Sequence, residues 1–351
     1  MTFLPKPKLH HPDLPTNALG LTRRDYEGAV STLCAGCGHD SISSAILRAV
    51  FELDIPPHRV AKMSGIGCSS KTPTYFLGTA HGFNSVHGRM PSVATGANLA
   101  NRDLIYLGVS GDGDSASIGL GQFAHAMRRG VNMTYIVENN GVYGLTKGQF
   151  SATSDRGAKS KKGVANADSA IDLVGLALQL GATFVGRSFS GDKAQLVPLI
   201  KAALRHKGAA FIDCISPCVQ FNNHVGSTKS FDYVREHNEA VNRLDFISGR
   251  DEIVTDYAPG SVEIVTQHDG TLLKLRKLAA DYDPHDRVAA LGYLQTHSAR
   301  GEIVTGLLYV DPDAEDLHDH LGTVTTPLNA LTERELCPGS AALAKLNESL
   351  R

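Results

Sequence analysis

The stretch Leu104-Ile105-Tyr106-Leu107-Gly108-Val109-Ser110-Gly111-Asp112-Gly113-Asp114-Ser115 is answered, 28 residues after Asp112, by Asn140 in the run Asn139-Asn140-Gly141-Val142-Tyr143-Gly144. Leu104 to Val109 reads as a strand feeding the first glycine. Small and apolar residues from about Ser115 to Arg129 suit a helix, and Met133 to Val137 reads as a second strand. The separation accommodates one helix and one strand of a βαβ crossover, so Asp112 and Asn140 meet at the carboxyl edge of neighbouring strands, where such sheets bind ligands. Further along, helical patterns at Ala170 to Leu180 and Ala194 to His206 alternate with strands at Thr183 to Gly186 and Ala210 to Ile215. The fold class expected is α/β, a doubly wound and mostly parallel sheet.

The residue types at that edge suit magnesium and a diphosphate. Gly111 and Gly113 permit a tight turn and close backbone approach, and the start of the following helix offers free N–H groups to an anion. Asp112 supplies a hard anionic oxygen, and Mg²⁺ takes one or two carboxylates together with phosphate oxygens and water. The Asn140 side-chain oxygen and a backbone carbonyl near Val142 complete such a shell. A lone Gly-Asp-Gly is more often a glycine-rich turn with a solvated aspartate; its pairing with Asn-Asn favours the site. A nicotinamide-binding turn fits less well, because neither Gly111-Asp112-Gly113 nor Gly65-Ile66-Gly67 has the third glycine at the required offset.

The chain has 351 residues, 42% of them hydrophobic and 20% charged, with a formal net charge of −2. That is enough to bury a large core. It also lacks the clustered Lys and Arg that a phosphate backbone demands, so no nucleic acid is expected. No apolar run is long enough to span a bilayer, and the first residues (Pro5, Pro7, His10, His11, Pro12) hold no signal-like apolar core. No membrane association and a cytoplasmic location are expected. Six cysteines in such a chain point to metal or redox chemistry rather than to a disulfide scaffold. Cys34-x-x-Cys37 with His39 close behind suits a structural zinc site in an interaction protein as well as an iron site.

Gly-Asp-Gly followed by Asn-Asn resembles the diphosphate signature of thiamine diphosphate enzymes. The continuation Tyr143-Gly144-Leu145-Thr146-Lys147-Gly148-Gln149 is similar to that of the 2-oxoacid:ferredoxin oxidoreductases. The resemblance is to the β subunit and runs through Cys34-Ala35-Gly36-Cys37-Gly38-His39, Gly65-Ile66-Gly67-Cys68-Ser69-Ser70, His87-Gly88-Arg89 and Ser216-Pro217-Cys218-Val219, covering roughly residues 20 to 240. It implies a sheet of the thiamine diphosphate-binding, diphosphate-domain type with a C-terminal extension. It also implies Mg²⁺ held by Asp112, Asn140 and Val142, and a [4Fe–4S] cluster on Cys34, Cys37, Cys68 and Cys218. Ile66, Gly67, Cys68, Ser69, His87, Gly113, Asp114, Gly144 and Leu145 are carried over to the thiamine pocket, with His87 also a catalytic candidate. Lys71, which follows the Cys68 loop, suits a catalytic contact to a substrate carboxylate and an ordinary solvent-exposed lysine equally. Ala35 and Asp40 stand where the family commonly has Pro and Gly. Cys214 and Cys337 fall outside the ligand set.

The activity implied is coenzyme A-dependent oxidative decarboxylation of a 2-oxoacid, with electrons passed to ferredoxin. 2-Oxoglutarate is the substrate most resembled, and pyruvate or broad specificity is the alternative. Only the diphosphate half of the cofactor site is recognisable, so an α subunit carrying the pyrimidine-binding domain is expected, in an αβ heterodimer or (αβ)₂. Residues 1–25 are read as an N-terminal extension, 26–225 as the cofactor domain and 226–351 as a C-terminal extension. Residues 151–167 are read as a long loop. The extension shows a helical pattern from Phe231 to Leu244, a charged hairpin-like region, and short helices at Leu328 to Leu336 and Ser340 to Leu346.

Overall fold

Parallel strands dominate one side of a nine-stranded sheet ordered β2-β1-β3-β4-β8-β7-β11-β10-β9. The computed structural model describes residues 13–144, 149–158, 164–219, 251–268, 270 and 272–351. In chain order the strands are β1 (Val60–Ser64), β2 (His81–Asn84), β3 (Ile105–Gly111), β4 (Met133–Asn139), the short β5 (Val142–Tyr143) and β6 (Gln149–Phe150), β7 (Phe184–Phe189), β8 (Ala209–Ile215), β9 (Val262–Thr266), β10 (Leu272–Lys277) and β11 (Ile303–Val310). Strands β2 through β7 in that order pair in parallel, whereas β11 joins β7 antiparallel, with β10 parallel to β11 and β9 antiparallel to β10. β5 and β6 form a separate two-stranded hairpin.

Alternation along the strands assigns each face its helices. Leu107, Val109, Ile136 and Ile212 join the core that covers α1 (Gly38–Glu52) and α5 (Lys193–Arg205). Tyr106, Tyr135, Val137 and Phe211 turn to the opposite core, shared with α2 (Met90–Ala100), α3 (Leu120–Arg128), α4 (Leu173–Gln179) and α6 (Arg287–Ser298). Phe123, Tyr135 and Phe211 meet edge to face there, with centroids 5.0, 5.7 and 6.0 Å apart. Burial of each such ring contributes about 1.5–3 kcal/mol. The chain steps from β1 to β2 on one side and then to β3 on the other. The crevice at that reversal, beyond Ser64 and Gly111, is where a doubly wound sheet takes its ligand.

The helix expected from Ser115 begins differently. Gly113–Ile118 forms a wide π turn in which the Gly119 N–H reaches the Asp114 carbonyl at 2.8 Å, and regular α3 starts only at Leu120. A side chain at Gly119 would lie 2.6 Å from that carbonyl and 2.9 Å from Gly88, so the turn widens where the His87-Gly88 loop packs on it. The C-terminal residues continue the central sheet: β9 and β10 are the hairpin, and β11 inserts between it and β7, with α6 preceding it in the chain; neither α6 nor β11 was anticipated from sequence. Residues 231–244 lie outside the described residues. The final helices occupy Leu328–Ala330, Glu333–Leu336 and Ser340–Ser349.

Candidate functional site

Strand register brings the sequence blocks to one edge. Gly111 at the end of β3 pairs with Glu138 on β4, and Asn139 pairs with Ile215 on β8. Residues just beyond these ends line a cleft with about 450 Å³ of space, counting its open mouth. Asp112, Asn140, Val142, Ile66, Gly67, Cys68, Ser69, His87, Gly113, Asp114 and Gly144 all border it, so most of the anticipated site is brought together. Leu145 lies outside the described residues.

Asp112 is 1% exposed. Its Oδ2 accepts hydrogen bonds from the Ser151 hydroxyl and from Thr153 Oγ1 at 2.6 Å, and Oδ1 faces the Asn140 N–H at 3.4 Å. Burial pushes this carboxyl up, opposed by those donors. The Asn140 side-chain oxygen accepts from the Val142 N–H at 3.1 Å, which folds the Asn-Asn turn back over the edge. Tyr143 lays its ring against Gly113 and donates its hydroxyl to the Gly113 carbonyl at 2.9 Å.

Asp114 has a different post. Its Oδ1 accepts from the Gly88 N–H at 2.8 Å and its Oδ2 from the Ser110 hydroxyl at 2.8 Å, tying the β3 turn to the loop that carries His87. Gly65 is required beside it, because a Cβ there would fall 1.8 Å from Asp114 Oδ2. His87 is exposed on the rim. Lys71 is exposed too, one turn beyond Cys68, where its charge favours the thiolate forms of Cys34 and Cys68.

The four cysteines gather at the far end of the cleft. Cys37 donates its N–H to the Cys34 carbonyl at 3.0 Å, and the Gly38 N–H points to the Pro217 carbonyl at 3.3 Å, which joins the C-x-x-C turn to the Cys218 segment. A Cβ on Gly144 would sit 3.4 Å from Cys68 Sγ and 3.9 Å from Cys218 Sγ. Cys218 adds to the upward push on the Cys37 thiol, and Cys34 to that on Cys68, so each pair is near enough for charge to be felt. Burial pushes the thiols of Cys34, Cys37 and Cys68 up. Cys37 also caps the N-terminus of α1, whose positive end favours a thiolate or an anionic cluster. Among the described residues, no three His, Cys, Asp or Glu side chains converge on one point as ligands of a single ion would. A four-iron cluster binds each thiolate to a separate iron, so its ligands need not converge on one point. Cys214 is buried in β8, and Cys337 is exposed in the C-terminal segment.

Two residues beyond the sequence reading complete the picture. Glu138, fully buried at the end of β4 and bordering the cleft, has both carboxyl oxygens without a hydrogen-bond partner, and burial pushes its carboxyl well up. His39 Nδ1 lies 3.6 Å from it and 2.6 Å from Ser216 Oγ, and burial lowers His39 to about 4, so the ring is neutral. An orphaned acid in the wall between the oxygen and sulfur ends fits a bound group at that place. Its signal was a glutamate ending an otherwise apolar strand. Lys62 is the second: buried on β1, its Nζ donates to the carbonyls of Pro73, Phe76 and Leu77 at 2.6, 2.7 and 2.8 Å, bracing the loop that follows Cys68. Among the described residues no helix is long and apolar enough to cross a membrane.

Residues 65–214 match the thiamine pyrophosphate enzyme, C-terminal TPP binding domain. A 2-oxoacid:ferredoxin oxidoreductase subunit beta from Sulfolobus is 40% identical over 63% of this chain and 70% of its own length. The 2-oxoglutarate oxidoreductase subunit KorB of Mycobacterium tuberculosis is 43% identical over 58% of this chain, and that alignment spans 53% of the relative. A solved 2-oxoglutarate:ferredoxin oxidoreductase from Magnetococcus marinus, with 2-oxoglutarate, coenzyme A and succinyl-CoA bound, superposes with a TM-score of 0.68 at 30% identity, covering 90% of this chain and 94% of that one. The cleft lies within the matched TPP segment apart from His39, and together these likenesses place the chain in the family of 2-oxoacid:ferredoxin oxidoreductase β subunits.

Proposed function

We propose that this chain holds the diphosphate end of thiamine diphosphate and a [4Fe–4S] cluster in a cytoplasmic 2-oxoacid:ferredoxin oxidoreductase that is catalytic only with an α subunit. One observation carries the reading: Asp112, Asn140 and Val142 share a cleft wall with Cys68 and Gly144, so a hard-oxygen site and one of the four cysteines open on the same space, with Cys218 next to Gly144. Asp112, the Asn140 oxygen and the Val142 carbonyl would hold Mg²⁺, and Gly113 with the turn around it would approach the diphosphate. Cys34, Cys37, Cys68 and Cys218 would hold the cluster, which passes electrons singly to ferredoxin. Bound thiamine diphosphate supplies the electron sink for decarboxylation, and coenzyme A takes the acyl group.

The chain's own residues then have separate tasks. Lys71 presents a cation to the substrate carboxylate at the cysteine end, and His87 offers a ring nitrogen at the rim. Glu138 and His39 are both buried in that wall, where burial pushes the Glu138 carboxyl well up and the His39 imidazole down to about 4, so each is biased toward its neutral form. The α subunit supplies the pyrimidine-binding domain, in an αβ or (αβ)₂ assembly. 2-Oxoglutarate is the first substrate to test, supported by the ligands of the Magnetococcus neighbour and the KorB relatives; pyruvate is the alternative.

Iron, acid-labile sulfide and zinc in the anaerobically purified αβ complex test the reading. About four irons and four sulfides per β chain are expected. About one zinc without sulfide, as in a structural site, would replace it with a zinc-binding interaction protein.

A further inference from the structure

The hydrogen bonds that hold Asp112 continue away from the cleft to a buried ion pair. Arg187 on β7 and Asp213 on β8 are register partners in neighbouring parallel strands. Arg187 Nε donates to Asp213 Oδ2 at 3.0 Å, and its terminal nitrogen to Asp172, the N-cap of α4. Burial works against the guanidinium charge, but the two carboxylates more than offset it and keep Arg187 protonated. The other oxygen of Asp213, Oδ1, accepts from Asn139 Nδ2 at 3.0 Å. With its amide fixed in this way, Asn139 turns Oδ1 toward Thr153 Oγ1 at 3.0 Å; the same oxygen lies 2.6 Å from Asp112 Oδ2, and its single hydrogen is shared between these two acceptors, with the shorter contact to the carboxylate favoured.

The chain therefore runs Arg187, Asp213, Asn139, Thr153, Asp112, along the carboxyl edge of three adjacent strands. Its placement is informative because a buried ion pair is a poor source of stability. Desolvation costs several kcal/mol per ion, and an apolar cross-strand pair of similar volume would hold β7 to β8 at least as well. The pair also lies at the ligand edge of the sheet, and the second carboxyl oxygen of Asp213 accepts from Asn139, the residue adjoining Asn140.

We propose that Arg187 and Asp213, acting through Asn139 and Thr153, are positioning residues that fix the Asp112 carboxylate for magnesium, anchoring Oδ2 and leaving Oδ1 turned to the cation. This rests on the magnesium-diphosphate reading of the cleft. Outer partners of this kind set the orientation of a metal ligand, and their loss typically costs 10–100-fold in metal affinity. Asp213→Asn keeps an acceptor for Asn139 but removes the charge that locks Arg187. Thr153→Val removes the hydroxyl that links Asn139 to Asp112 and, on a partly exposed loop, leaves the core intact.

The test is calorimetric titration of thiamine diphosphate into the αβ complex at graded Mg²⁺, with iron content measured alongside. Both variants should need about tenfold more Mg²⁺ for half-maximal cofactor binding, recover full binding at high Mg²⁺, and retain the iron of the wild type. Half-saturating Mg²⁺ within twofold of wild type in both variants would overturn the proposal, as would a loss of binding that Mg²⁺ does not restore. Asp112→Ala separates the two levels. If it binds cofactor like wild type, the magnesium reading itself fails; if it abolishes binding while Thr153→Val and Asp213→Asn leave it unchanged, only the positioning role fails.

Discussion

The oxygen end and the sulfur end of the cleft are organised in opposite ways. At the oxygen end the side chains are already set: Asp112 is held by Ser151, Thr153 and the Asn140 N–H. At the sulfur end it is the backbone that is set. The C-x-x-C turn is tied to the Cys218 segment through Gly38 and Pro217, and Lys62 clamps the loop after Cys68, while burial pushes the thiols of Cys34, Cys37 and Cys68 up. A preorganised oxygen site has little left to rearrange when a cation arrives. A thiol site must release protons as it takes up metal, so its loading is coupled to pH and to assembly.

The sharpest way to break this contrast is to disable one end at a time. Asp112→Ala should weaken Mg²⁺-dependent thiamine diphosphate binding beyond the roughly 100-fold typical of losing an outer partner, with iron unchanged. Equilibrium dialysis of the αβ complex at fixed Mg²⁺ measures it, and wild-type affinity would end the assignment of Asp112. Cys34→Ser removes a thiol that does not border the cleft. It should strip the complex of most of its iron and its visible absorbance while cofactor affinity stays within about threefold, since the diphosphate contacts are remote from it. Parallel loss of both would show the two ends to be one cooperative unit.

A third substitution acts where the ends share a scaffold. Gly65→Ala drives a methyl group against Asp114 Oδ2 and breaks the carboxylate's bonds to Gly88 and Ser110. Overpacking together with two lost hydrogen bonds should cost about 3 kcal/mol, read from the shift in urea midpoint. An unchanged midpoint would mean that Asp114 swings aside without loss, leaving the His87 loop to be held by other contacts.

How far the sequence disclosed this site follows from the same physics. The meeting of Asp112 and Asn140 was legible because a βαβ unit fixes where its strand ends lie, whereas Cys34, Cys37, Cys68 and Cys218 were grouped by the family resemblance, because no local spacing links Cys68 and Cys218 to the C-x-x-C turn. The role of Asp114 was not legible: whether a carboxylate in a Gly-Asp-Gly-Asp run faces the ligand or the neighbouring loop depends on packing against Gly88. Glu138 and Lys62 were hidden because each is the one charged residue in a mostly apolar strand, and its partners, or their absence, come from distant segments. Strand β11 escaped for a related reason. Its pattern is locally strand-like, yet its antiparallel place beside β7 comes from the tertiary fold, and no turn signal links the two.

Lys62 offers the finest test of the contrast. Burial lowers its ammonium to about 8, well below an ordinary lysine. The unfolded chain holds that proton up to about pH 10.4. Between these values the folded form has released a proton that the unfolded form keeps, so stability rises with pH across the window; below about pH 8 both forms are protonated and the contribution is flat. The difference in unfolding free energy between wild type and Lys62→Gln should therefore grow in favour of wild type by about 2 kcal/mol from pH 8 to 10.4. Chemical denaturation at several pH values checks it. A difference that stays level would mean that the three carbonyls hold the ammonium well enough to offset its burial, making the brace at the sulfur end as fixed in charge as the carboxylate at the oxygen end. The expected slope would instead place a pH-sensitive clamp behind Cys68, so that proton release and cluster loading are felt on the same loop.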